Sequence, residues 1–172
     1  MTFLRLFTLC LICLGCEQGR KTSIGESEGS PIPLTEEIQT LYGPVIGLSE
    51  SGMRIFKGIP YAAPPNGLLR FEPPQPPEPW RRPLSADAFG EDCLQSIGIL
   101  SDSSTEDCLT LNIWAPNRLA PKPVMIWIHG GGFTFWSSAF DLFDGHRLAE
   151  VGDVVIVSFN YRLGLTGFLP VQ

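Results

Sequence analysis

Beyond the N-terminal stretch, two apolar runs, VMIWI at residues 124–128 and VVIVSF at 154–159, stand out from a chain whose other hydrophobic positions are mixed with polar ones. Runs of this length without alternation predict strands covered on both faces, as in parallel sheets. Between them DGHRLAEVG, residues 144–152, reads as a short helix stopped by Gly152. Strand, Gly-rich loop, helix and strand in that order make a βαβ unit. Upstream, LTLNIWA has a mixed pattern and predicts a further strand. GPVIGLSESGMRIFKGIPYA alternates apolar and polar positions around Ser51-Gly52, which predicts a β-hairpin. From Pro64 to Pro79 proline dominates. Each ring fixes φ and removes a donor, so extended chain laid over a surface is expected there, with a ligand for a proline-reading domain as the alternative.

Two glycine-containing motifs carry candidate chemistry. GESEG, residues 25–29, fits the G-x-S-x-G pattern of a nucleophile elbow, whose serine sits on a sharp strand-to-helix turn. Ser27 is preceded by EQGRKTSI, which lacks the apolar run of a buried strand, and followed by SPIPL, whose Pro31 and Pro33 lack N–H groups for a helix interior. No elbow is expected around it. HGGGF, residues 129–133, follows the VMIWI strand directly. Its three glycines permit positive φ and close approach, so backbone N–H groups can converge on a substrate oxygen, as in the HGGG loop of lipases and esterases. A nucleotide site is disfavoured, because neither G-x-G-x-x-G nor a P-loop lysine is present.

Composition places these elements in one domain. The chain has 172 residues, 44% hydrophobic and 17% charged, enough for a sizeable core. Formal net charge is −6, and the 12 Lys and Arg are scattered, which argues against nucleic-acid binding. At the start, MTFLRLFTLCLICLGC sets Arg5 before an apolar stretch too short to span a bilayer, the layout of an export signal over residues 1–16. Gly15-Cys16 also resembles a bacterial lipoprotein signal. Acylation of Cys16, giving a membrane tether, and simple cleavage are both open; the chain is then a surface or periplasmic lipoprotein, or secreted. Residues 17–42 are a polar, Gly- and Ser-containing tether and lead-in. Once the signal is set aside, Cys93 and Cys108 remain. An even pair in an exported chain reads as a disulfide, worth ~3 kcal/mol in the chain-entropy picture, the alternative being two buried thiols.

Four ordered motifs then point to one family. FKGIPYAAPP with LRF, EDCLTLNIWAP, VMIWIHGGGF and VVIVSFNYRLGLTGFL together resemble the N-terminal part of a type B carboxylesterase, the family of carboxylesterases, cholinesterases and some fungal lipases. The resemblance covers nearly everything over residues 43–169. It implies an α/β-hydrolase fold, here the N-terminal portion of a mostly parallel central sheet and incomplete in this chain. It also implies hydrolysis of small-molecule carboxylic esters through an acyl-serine, with no cofactor and no metal.

By position, the resemblance makes Gly131 and Gly132 the oxyanion donors and pairs Cys93 with Cys108. Arg70 and Glu106 match an ion pair of the family, and His129 matches a structural residue rather than the catalytic base, since in this fold the histidine comes last. Arg162, within Asn160-Tyr161-Arg162, is expected to pin the sheet edge, and His146 to be an exposed helix residue. Trp136 departs from the family, which commonly has Gly there. It either narrows the acyl pocket or packs beside Phe135. The nucleophile, acid and base are expected beyond the last residue, so the 172-residue chain is read as inactive by itself. The rival readings are a noncatalytic esterase-like adhesion module and an inactive gene remnant.

Overall fold

A computed structural model describes residues 32–95, 104–118 and 120–169. The expected export signal with Cys16, most of the expected tether and Ser27 lie outside the described residues.

The predicted hairpin forms from β3 (Leu48–Glu50) and β4 (Met53–Pro60), paired antiparallel with Glu50 opposite Met53. Ser51 and Gly52 make its two-residue turn, both at positive φ (50° and 77°), as a type I′ connection between twisted strands requires. β4 pairs antiparallel with β8 (Thr110–Pro116), the LTLNIWA segment, and β8 pairs antiparallel with β10 (Val155–Phe159). β9 (Val124–Ile128) lies parallel to β10, with α1 (His146–Gly152) in the connection between them, so the βαβ unit is present. The five-stranded sheet has the order β3-β4-β8-β10-β9. Its parallel part is the β9/β10 pair alone; the other pairings in this portion are antiparallel.

A smaller sheet joins β1 (Ile38–Gln39), β2 (Pro44–Ile46) and β5 (Leu84–Ser85). β6 (Asp92–Cys93) and β7 (Ser104–Thr105) form a parallel pair beside the disulfide that joins Cys93 to Cys108. The chain ends its described part in α2 (Gly164–Phe168). The proline-rich stretch is largely extended and exposed. It is tied at its end by Trp80, whose Nε1–H donates to the Pro44 carbonyl at 2.7 Å.

Side-chain alternation along β4 and β8 divides the core between the two faces of the sheet. Met53, Ile55, Trp114, Ile156 and Ala149 of α1 cluster on one side, and Val45, Phe56, Ile59 and Ala86 on the other. Trp114 is fully buried. A bulge interrupts the β4/β8 register between Phe56 and Ile59. There Gly58 takes φ 70°, a β-carbon would run into the Ala88 carbonyl, and its N–H turns to Asn112 Oδ1 at 3.0 Å.

Two expectations need correction. VMIWI is not covered on both faces: its five residues are 44 to 61% exposed. β10 is interior and buries Ile156 and Ser158, whereas β9 is the edge strand and no described element lies outside it. α1 does end at Gly152, but the left-handed stop is the next residue rather than the glycine. Asp153 takes the left-handed conformation, φ 49°, and its N–H returns to the Ala149 carbonyl. Lys122 Nζ holds the Asp153 carboxylate at 2.7 Å and keeps it below its ordinary pKa, tying the lead-in to β9 to the end of α1.

Candidate active site

The site begins where β9 ends, because a parallel strand followed by glycines brings a loop to the carboxyl end of the sheet, where open α/β sheets bind ligands. His129, the first loop residue, is 3% exposed. Its ring stacks on that of Tyr161 with centroids 4.4 Å apart, and Nδ1 lies 3.0 Å from the Gly130 carbonyl. Burial pushes the His129 pKa down, opposed by the bond to Gly130 and by the charge of Asp92. A neutral ring carrying its proton on Nδ1 fits the carbonyl contact. The Tyr161 hydroxyl donates to the His129 carbonyl at 2.9 Å and reaches the Gly130 carbonyl at 3.4 Å; burial raises its pKa and keeps it a donor.

Gly131, Gly132 and Phe133 follow with three successive positive φ values, 101°, 59° and 64°. At Gly131 glycine is required on two counts, since a β-carbon would also collide with the Phe135 carbonyl. At Gly132 a β-carbon would meet nothing within 4 Å. The Gly131 carbonyl accepts from the Thr134 N–H and Oγ1, both at 3.0 Å, and from the Phe135 N–H at 3.3 Å. Gly164 N–H closes onto the Phe133 carbonyl at 2.7 Å and joins the loop to α2. Among the described residues nothing accepts from the N–H of Gly131 or Gly132.

Trp136 packs into an aromatic cluster. Its ring centroid is 5.2 Å from that of Phe135, 6.3 Å from Phe140 and 5.6 Å from Phe143. The backbone at this position is left-handed, φ 83°, the conformation glycine would take most easily. Gln95 stabilises it from both sides: Oε1 accepts from the Trp136 N–H at 2.9 Å, and Nε2 reaches the Trp136 carbonyl at 3.4 Å.

Behind the loop runs a buried polar network. Asn160 Oδ1 accepts from the N–H and the hydroxyl of Ser138, both at 2.8 Å, while its Nδ2 donates to the Glu91 carbonyl at 3.0 Å. Asn112 Nδ2 donates to Ser138 Oγ at 3.0 Å and to Ser158 Oγ at 3.1 Å. Buried amides and hydroxyls satisfied in this way anchor the segment after the glycines to β8 and β10. Ser137, Ser138, Asn112 and Ser158 were not singled out in the sequence. The signal of Asn112 and Ser158 was a polar residue within an otherwise apolar strand; Ser137 and Ser138, in the segment after the glycines, carried none.

The remaining candidates lie apart from the glycines. Arg70 and Glu106 form a bidentate surface pair that raises the arginine pKa and lowers the glutamate's. Arg162 lines a small depression with Glu106, Cys93 and Cys108. Its charge opposes the burial that pushes Tyr61 up to about 12; the Tyr61 hydroxyl donates to the Asn160 carbonyl at 2.6 Å. His146 is half-buried rather than exposed: it opens α1, its N–H held by Asp144 Oδ1 at 2.8 Å. Among the described residues no cluster of His, Cys, Asp or Glu could hold a metal ion.

The sequence profile described as the carboxylesterase family matches residues 35–172. The chain belongs to the carboxylesterase family. Its curated relatives include the para-nitrobenzyl esterase of Bacillus subtilis, 47% identical over 139 residues, covering 77% of this chain and 28% of the relative. The pyrethroid hydrolase Ces2e of Rattus norvegicus is 40% identical over 161 residues, covering 84% of this chain and 28% of the relative. Among solved structures, a thermophilic PNB esterase superposes with a TM-score of 0.75 at 42% identity, covering 78% of this chain and 29% of that one. The Geobacillus stearothermophilus carboxylesterase Est55 gives 0.73 at 41%, covering 78% and 28%. These neighbours have the α/β-hydrolase fold, and the carboxylesterase chain described here has the same fold over the part it spans. That part is less than a third of the length of the curated relatives it matches.

Proposed function

We propose that this carboxylesterase-family chain is the N-terminal portion of an exported carboxylic ester hydrolase acting through an acyl-serine. In this reading the N–H groups of Gly131 and Gly132 receive the negative charge of the tetrahedral intermediate. The observation that carries it is the loop backbone: successive glycines at positive φ after a parallel strand, with carbonyls tied back and N–H groups left without a protein acceptor among the described residues. Donors fixed before the reaction need no reorganisation when charge develops, and they act on the transition state rather than on the bound substrate.

In α/β-hydrolases the nucleophile, acid and histidine follow the oxyanion loop in that order. The triad therefore comes from sequence beyond Gln172, and neither Ser27 nor His129 belongs to it. The substrate is a small carboxylic ester, and serine chemistry of this kind uses no metal or cofactor. Cys16 marks the export signal, with the acylated or cleaved N-terminus read by mass spectrometry of the mature protein.

The test has two arms. The 172-residue chain alone should give no stoichiometric burst with a p-nitrophenyl ester and no fluorophosphonate label; labelling of Ser27 overturns the assignment. Placed in frame for the matching segment of the Bacillus subtilis para-nitrobenzyl esterase, the chain should support ester hydrolysis. In that chimera Gly132→Val should lower kcat by ~10² to 10³ with folding intact, the usual effect of losing one such donor.

A further inference from the structure

We infer that Tyr161 and Thr134 are positioning residues that aim the N–H groups of Gly131 and Gly132 by holding, from behind, the carbonyl of each preceding peptide. The inference rests on the oxyanion reading of the loop and adds to it how the two donors are set.

A trans peptide is planar, so its C=O and N–H point in opposite directions. Whatever grips the Gly130 carbonyl therefore fixes the direction of the Gly131 N–H, and whatever grips the Gly131 carbonyl fixes that of Gly132. The two grips are built from different residues. The Tyr161 hydroxyl gives its one proton to the His129 carbonyl at 2.9 Å and makes a longer contact to the Gly130 carbonyl at 3.4 Å, so its hold on the Gly130 peptide runs chiefly through His129. Its ring also stacks on the His129 imidazole, which keeps Nδ1 at 3.0 Å from the same Gly130 carbonyl. The Gly131 carbonyl is held by Thr134, through Oγ1 and N–H at 3.0 Å each, with the Phe135 N–H behind them.

Such grips matter because the loop has little rigidity of its own. Three consecutive glycines lack β-carbons to restrict rotation, and a flexible donor loses the advantage of being aimed before charge develops. Tyr161 is anchored independently of the loop, since it follows directly on Asn160, whose buried side chain is bound to Ser138 and Glu91. The donors are thereby referred to the end of β10 rather than to the loop.

The sequence offers a direct readout. Gly130-Gly131 and Gly131-Gly132 are the only Gly–Gly peptide bonds in the chain. Labelling with glycine carrying 13C at the carbonyl and 15N at the amide therefore gives two carbonyl–amide correlation peaks, one for each peptide in question. In the 172-residue chain carrying Ile126→Lys to limit association through β9, Tyr161→Phe, which keeps the ring and deletes the hydroxyl, should displace the Gly130-Gly131 peak and leave the other in place. Thr134→Val should do the reverse. Two peaks of multiple form in the Ile126→Lys parent, or a Tyr161→Phe spectrum in which both peaks move alike or neither moves, overturn the inference.

Kinetics of the chimera with the para-nitrobenzyl esterase separate this inference from the reading beneath it. Tyr161→Phe should lower kcat by about 10-fold with KM unchanged, part of the loss expected for a deleted donor. If Gly132→Val loses kcat while Tyr161→Phe does not, the positioning role fails and the oxyanion reading stands. If neither loses it, the oxyanion reading falls and the positioning role falls with it.

Discussion

At the scale of single residues, the loop glycines are not equivalent. Gly131 has φ 101° and a backbone carbonyl where its β-carbon would sit, whereas Gly132 has φ 59° and open space. Gly131→Ala should therefore force the loop apart, with a cost of about 1–3 kcal/mol or more, while Gly132→Ala should cost only the left-handed preference of ~1–2 kcal/mol. Urea midpoints of the two variants in the chimera read the order; equal values would contradict the geometry. His129 gives a pH dependence. Its folded pKa lies below the ordinary 6.5, so the unfolded chain binds more protons as pH falls through that value. The neutral buried ring contributes its full stability above 6.5 and loses it on acidification toward the folded pKa. Unfolding midpoints between neutral pH and pH 5 should fall with acidity, and His129→Gln should flatten that part of the slope.

At the scale of elements, the informative link joins β6 to the segment leading into β8, stapled where Cys93 meets Cys108 across a separation of 15 residues. Non-reducing peptide mapping should recover that pair, and reduction should destabilise the chain by ~3 kcal/mol. Two thiols that alkylate freely without reductant would contradict it. β9 is the other informative element. Five apolar side chains on an edge strand offer both a hydrophobic face and unpaired N–H and C=O groups, the combination that drives strand addition. The isolated chain should self-associate, and Ile126→Lys should reduce the associated fraction in sedimentation. Unchanged association would show that another surface is responsible.

At the scale of the whole molecule, the five-stranded sheet brings together parts that lie far apart in sequence. Tyr61 reaches the Asn160 carbonyl, Asn112 links β8 to Ser138 and Ser158, and Gln95 braces Trp136. The glycine loop is therefore shaped by the sheet beneath it and by the segment that follows β10. The chain spans less than a third of the length of its relatives, and the glycine loop lies at the carboxyl end of the one parallel pair in the five-stranded sheet.

The sequence alone determined the hairpin at Ser51-Gly52, the βαβ unit around HGGGF, the Cys93–Cys108 pairing and the family, because each is written in local pattern or in motif order. Only the tertiary structure decided that VMIWI is an edge, that Asp153 caps α1 and that Trp136 packs among Phe135, Phe140 and Phe143. The same holds for the carbonyl grips of Tyr161 and Thr134. An apolar run looks the same whether or not a neighbour covers it, and a tyrosine's hydrogen-bond partner depends on which strand the fold places beside it.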